Sequence, residues 1–169
     1  MDQVPHQHRQ EAPQVVGCAV ITVSDTRTIQ TDTGGQTAVD LLDQAGHNVR
    51  LRQIIPDEPE RMRQLLIGLR DRPDVEVVLM TGGTGLGSRD QTVETVGGLL
   101  DKTLPGYGEL LRMLSYEQIG AAAMLSRAVG GLIGRTVLLT MPGSPAAVRL
   151  AMEKIIIPEL GHLVREARR

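Results

Sequence analysis

Residues 75–90 read VEVVLMTGGTGLGSRD, an apolar run that gives way to glycines at 82, 83, 85 and 87 and then to Arg89 and Asp90. Glycines placed directly after a buried strand leave main-chain N–H groups uncovered, so an anion can approach without meeting Cβ atoms. Gly82, Gly83, Thr84 and Gly85 therefore read as a phosphate cradle, against the plainer reading of a glycine-rich surface turn. A helix starting near residues 90–92 would add its free N–H groups and dipole to the same site. Asp90 has two chemical uses there. It can cap that helix, and it can hold Mg²⁺, which prefers oxygen ligands and bridges carboxylates to phosphate oxygens. The loop is neither of two common cradles, because Ser88 stands where a P-loop needs Lys and where the dinucleotide fingerprint needs Gly.

Three other polar turns follow apolar runs. Ser24 and Asp25 open the turn SDTR after VVGCAVITV, Asp57 emerges from IPDE, and Pro142, Gly143 and Ser144 follow VLLTM. Each carries a capping reading beside the functional one: Ser24, Asp25 or Asp57 can simply close a turn or cap a helix.

The positioning elements are legible from periodicity. Continuous apolar runs at 15–23, 75–80 and 137–141 read as buried parallel strands, and 47–55 as a further strand. Helical spacing appears at 34–46 (Ala38, Leu41, Leu42), 60–70 (Met62, Leu65, Leu66, Leu69), 146–157 and 159–169. Residues 104–127 are helical in pattern, but Gly106, Gly108 and Gly120 predict two or more short helices. Residues 130–134 read as a turn or edge strand. Strands that each end in a polar turn and feed a helix make an α/β three-layer sandwich, a mainly parallel sheet with helices on both faces. Such a sheet gathers its turns along one edge, so residues distant in sequence converge on one crevice.

A chain of 169 residues suits one domain, expected over 15–169 behind a disordered tail at 1–14 that carries His6 and His8. A net charge of −2 argues against general nucleic-acid binding, which needs a cationic surface. No run approaches a membrane span, and no export signal is recognisable, so a cytoplasmic location is expected. The single cysteine, Cys18, falls inside an apolar run and reads as a buried thiol.

TGGTGLGSRD, IPDE, SDTR, LPGYGELLRMLSYEQIG, LSRAVGG and MPGSP, in this order over about residues 15–165, together resemble the MoaB/Mog family of molybdenum cofactor biosynthesis proteins. LLRMLSYEQIG is more similar to the MoaB branch. The resemblance implies an adenylyltransferase that joins molybdopterin to the α-phosphate of ATP with Mg²⁺, or a related molybdopterin-binding carrier without that activity. It implies Asp57 and Asp90 as the acidic groups around magnesium and Gly82, Gly83, Thr84 and Gly85 as the pterin and phosphate loop. Ser24, Asp25, Glu109, Ser126, Arg127 and the Pro142-Gly143-Ser144 turn would line the same crevice. It further implies a homo-oligomer, trimeric or hexameric, and hand-over to a metal-insertion protein. Two departures stand out: RDQTVE where the family more often has RDVTPE, and PGSP where Mog-like members tend to have PGNP.

Overall fold

The computed structural model of the chain describes residues 12–169; most of the expected tail, His6 and His8 included, lies outside the described residues. Six strands build one sheet: β1 (Gly17–Val23), β2 (Asn48–Ile55), β3 (Val77–Thr81), β4 (Lys102–Thr103), β5 (Gly130–Ile133) and β6 (Thr136–Met141). Their order is β2-β1-β3-β6-β5-β4. The four strands β2, β1, β3 and β6 run parallel, β5 returns antiparallel to β6, and β4 is antiparallel to β5.

Both faces are covered, which is why β1, β3 and β6 are apolar at nearly every position. On one face Cys18 and Val20 of β1 meet Leu41 and Leu42 of α1 (Thr33–Gln44) and Leu111 of α4 (Pro105–Ile119). The C-terminal helices α5 (Pro145–Ala151) and α6 (Ile157–Ala167) complete that layer through Val148 and Leu160. On the other face Ala19 and Ile21 meet Met62, Leu66 and Leu69 of α2 (Pro59–Arg70) and Val96 of α3 (Thr92–Gly97). Each large side chain buried this way contributes about 1.5–3 kcal/mol. The expected three-layer sandwich is the observed architecture. Cys18 is fully buried, and desolvation pushes its thiol up to about 12, so it is inert at neutral pH.

Three local expectations need correction. Gly106 and Gly108 do not break α4, which runs unbroken to Ile119 before a 3₁₀ turn at Gly120–Leu125. Gly108 is there for contact: a Cβ on it would lie 2.5 Å from the carbonyl oxygen of Ala128, so the missing side chain lets the helix press onto the lead into β5. Nor do the last helices separate at Pro158. Residues 145–167 continue through a π-helical turn at Met152–Ile156. In a regular helix the Pro158 ring would collide with the carbonyl of residue 154, and the widened turn lies just ahead of it. Finally, α3 has only six residues, and the amides of Gln91 and Thr92 at its start are taken by Asp57 and Gly83, so fewer of its N–H groups remain for an anion than the pattern suggests.

Candidate active site

The chain steps from β1 outward to β2, then crosses back to β3 on the other side of β1. Open α/β sheets form their ligand crevice at such a reversal, outside the carboxyl ends of the strands. Here that point holds Val23–Asp25, Ile55–Asp57 and the loop after Thr81.

The loop is held by steric necessity. Gly82 and Gly83 have φ of +94° and +62°, in the left-handed region that favours glycine. A Cβ on Gly82 would lie 2.3 Å from the Val23 carbonyl oxygen, and one on Gly83 would lie 2.2 Å from Thr92 Oγ1 and 2.7 Å from Asp57 Oδ2. One on Gly85 would lie 2.7 Å from Asp90 Oδ2. The glycines thus let the loop backbone rest directly against both carboxylates. The Gly82 N–H donates to Met141 O at 3.1 Å, and Thr92 N–H donates to Gly83 O at 3.0 Å. The amides of Gly83, Thr84 and Gly85 donate to no acceptor among the described residues, as a phosphate cradle requires.

Around them sit three carboxylates. Asp57, 7% exposed, accepts the Gln91 N–H at Oδ1 (3.2 Å), and its own N–H donates to Asp25 Oδ1 at 3.0 Å. Asp90 Oδ2 accepts the Gly87 N–H at 2.8 Å. Asp25 Oδ2 accepts from Arg89 Nη2 at 2.7 Å and Nε at 3.1 Å. Burial raises the Asp57 carboxyl above the usual carboxylate value; the Gln91 N–H opposes this, the charges of Asp90 and Asp25 add to it, and Arg89 opposes it. Asp25 is held below its usual value, first by the Arg89 hydrogen bonds and then by the Asp57 N–H.

This donor set fits Mg²⁺. It is all oxygen, and the charge of Asp57 and Asp90 is offset only in part, since the nearby guanidinium is committed to Asp25. Among the described residues no three His, Cys, Asp or Glu side chains group to hold a metal. Asp57 and Asp90 would be the residues to hold such an ion, and Mg²⁺ usually takes one or two carboxylates beside phosphate oxygens and water.

The other expected residues divide between this crevice and a cleft beside it. Ser24 Oγ accepts from Thr26 and Arg27 N–H at 3.3 and 3.1 Å, closing its own turn. Ser144 Oγ caps α5 through the Ala147 N–H, and Pro142 O accepts from Thr81 Oγ1 at 3.3 Å, which ties that turn to the end of β3. A Cβ on Gly143 would lie 3.4 Å from the Gly82 Cα, so the two turns run close together. Glu109 lies apart, in a neighbouring cleft of about 360 Å³ with Leu104, Arg112, Arg127 and Val129 on its walls. Ser126 O accepts from Arg112 Nη1 at 3.4 Å, while its buried hydroxyl has no hydrogen-bond partner among the described residues. Arg127 stands between this cleft and the loop, its guanidinium on the carbonyls of Thr84 and Gly85. On the other side a shallower groove of about 590 Å³ runs past Asp25, Arg27, Ile29, Arg52 and Pro56.

Three participants went unnoticed in the sequence. Asp32, 2% exposed, caps α1 by accepting the Gly35 N–H at 2.9 Å and also holds Thr22 Oγ1 (2.8 Å) and Arg52 Nη2 (3.2 Å). Its signal was an Asp three residues before glycine at a helix start. Arg89 and Glu94 bind partners 64 and 33 positions away, for which no local pattern exists.

A family model described as "Probable molybdopterin binding domain" matches residues 19–162. Molybdenum cofactor biosynthesis protein B of Bacillus cereus is 52% identical over 164 residues, covering 96% of this chain and 97% of that protein. A crystal structure of molybdenum cofactor biosynthesis protein B superimposes with a TM-score of 0.90 at 52% identity, over 94% of this chain and 99% of the other. The tungsten cofactor synthesizing protein MoaB from Pyrococcus furiosus matches with a TM-score of 0.81 at 36% identity, over 94% and 100% of the two chains. By motif order, sequence and fold, the chain belongs to the MoaB/Mog family of molybdenum cofactor biosynthesis proteins, on its MoaB side.

Proposed function

We propose that the protein serves molybdenum cofactor biosynthesis as a Mg-ATP-dependent adenylyltransferase of molybdopterin. In this reaction a terminal phosphate oxygen of molybdopterin attacks the α-phosphorus of ATP. The bond from that phosphorus to the bridging oxygen breaks, pyrophosphate leaves with the electron pair, and adenylyl-molybdopterin forms.

One observation carries the reading: the loop backbone at Gly83 and Gly85 packs directly against the carboxylates of Asp57 and Asp90, and the amides of residues 83–85 have no acceptor among the described residues. Phosphoryl-type transfer asks little covalent work of a protein and depends on alignment and on compensating charge where it accumulates. The amides would receive phosphate oxygens, and Asp57 and Asp90 would hold Mg²⁺. Bound there, the ion supplies positive charge against that developing on the phosphates. Asp25 orients the main chain of Asp57 while anchoring Arg89 beside the crevice. The cleft at Glu109 and the groove at Arg52 flank this point and leave room for the ring systems of two substrates. The product would pass to a metal-insertion protein, and the protein would work in the cytoplasm as a symmetric homo-oligomer. Exposed Met113, Tyr116, Ile119 and Met124 give α4 and the turn after it an apolar face suited to subunit contact.

Incubation with molybdopterin and Mg-ATP tests the reading, with pyrophosphate as the readout. Wild type releases it; Asp57→Ala and Asp90→Ala fold normally and make at least about 100-fold less, given that metal-assisted charge stabilisation supplies several kcal/mol. Wild-type turnover by both variants removes them from the mechanism. Molybdopterin binding without pyrophosphate release replaces the enzyme with a non-catalytic carrier.

A further inference from the structure

The motif position of Arg127 suggested a ligand contact, but its hydrogen bonds point elsewhere. Nε donates to Thr84 O at 3.1 Å, Nη2 donates to Gly85 O and to Asp90 O (3.4 Å), and Nη1 and Nη2 engage the Glu94 carboxylate. All three nitrogens are thereby committed to the protein. The four partners are the start of the glycine loop, its end, and the first turn of α3. The Glu94 carboxyl is held below its usual value by this bond, and the Arg127 side chain is only 24% exposed.

The guanidinium also has a rigid mount. Two residues on, Val129 donates its N–H to Thr140 Oγ1 at 2.9 Å and accepts from Thr140 N at 2.9 Å and Oγ1 at 3.1 Å. Thr140 is fully buried in β6, and its own carbonyl accepts from Tyr107 OH at 2.8 Å. Arg127 is therefore anchored to the central sheet at one end and to the loop carbonyls at the other. A peptide carbonyl and the following amide point in opposite directions. Holding the carbonyls of Thr84 and Gly85 on the Arg127 side turns the N–H groups of Gly85 and Leu86, across the same peptide planes, to the opposite side.

We infer that Arg127 is a positioning residue and not a substrate contact: it staples the two ends of the glycine loop together, with Glu94 as its counter-ion, and so sets the amides and Asp90 in working register. Lysine cannot replace it, because one ammonium cannot span four acceptors in a planar fork. This rests on the proposed adenylylation only for its kinetic consequence.

Two readouts test it on the full-length protein. The first, hydrogen exchange of peptides covering 82–91, needs no activity. Arg127→Ala and Arg127→Lys should speed exchange at least tenfold at the hydrogen-bonded amides of Gly87, Asp90 and Gln91, with β1 and β3 unchanged; unaltered exchange in 82–91 overturns the staple. The second is the pyrophosphate assay on Arg127→Ala, Glu94→Ala and the double variant. A staple lowers kcat about 100-fold with KM for Mg-ATP and for molybdopterin shifted less than threefold, and the double variant is no worse than Arg127→Ala. A direct phosphate or pterin contact instead raises one KM tenfold or more and makes the two losses multiply, which also overturns the inference. If wild type releases no pyrophosphate, the adenylylation reading fails while the exchange experiment still decides the staple.

Discussion

Gly83→Ala probes the packing of the loop against the carboxylates most sharply. A methyl group there would sit 2.2 Å from Thr92 Oγ1 and 2.7 Å from Asp57 Oδ2, with φ at +62°. A non-glycine residue in the left-handed region costs about 1–2 kcal/mol. Forcing a methyl into a filled site costs about 1–3 kcal/mol more, and the stiffer unfolded chain returns about 0.4–1 kcal/mol. The net loss is about 1–5 kcal/mol, a fall in Tm of about 2–20 °C for a domain of this size. Thr92 has no room to retreat, being fully buried with its hydroxyl against Met62 Sδ at 3.8 Å. The displacement therefore falls on Asp57, and a shift near 1 Å of a group that aligns reactants costs about 100-fold in rate. Differential scanning calorimetry and the pyrophosphate assay, run on one preparation, read both effects. A variant that melts within about 1 °C of wild type and turns over normally would refute the packing and the role together.

Gly68→Ala is the control, since Gly68 lies inside α2 with nothing within 4 Å of the new methyl; it should stabilise by about 0.5–1 kcal/mol with turnover unchanged, as read by urea unfolding. Asp57→Asn keeps an oxygen for the Gln91 N–H and removes a charge the fold disfavours. Because the folded-state value of Asp57 is raised above the ordinary 3.8, its stabilising protonated form is present at low pH and lost as pH rises through the folded value. The Asn variant should therefore be at least as stable as wild type at pH 7, with a flatter Tm profile through the acid range, while losing activity. Asp32→Ala removes the α1 cap and strands Thr22 and Arg52, and should cost about 1–3 kcal/mol in chemical denaturation.

Strands buried on both faces were easy to read, because β1, β3 and β6 need apolar side chains everywhere and so leave a continuous run. The glycine loop was legible for a related reason: left-handed backbone and close approach to the Val23 carbonyl at 82 and to Asp57 at 83 admit no Cβ. Strand β4 was not, since Lys102 and Thr103 are exposed and pair only through their main chain with Leu132 and Gly131. The continuity of α4 and of the helices around Pro158 also stayed hidden. Glycine and proline report local preference, whereas tertiary contact at Ala128 and a π turn decided both cases. Within the candidate site, Asp57 and Asp90 stood out because each sits in a polar turn after a strand. What Arg127 does was not, because its partners at 84, 85, 90 and 94 are assembled only by the fold.

The proposed adenylylation needs a magnesium-bound phosphate chain lying between the two aspartates and the loop. A crystal grown with a non-hydrolysable ATP analogue and Mn²⁺ in place of Mg²⁺ shows this directly through the metal's anomalous signal. The expected result is one peak between Asp57 and Asp90, with phosphate oxygens on the amides of Gly83–Gly85. A metal or triphosphate bound away from these groups, with the loop amides facing only water, would contradict it.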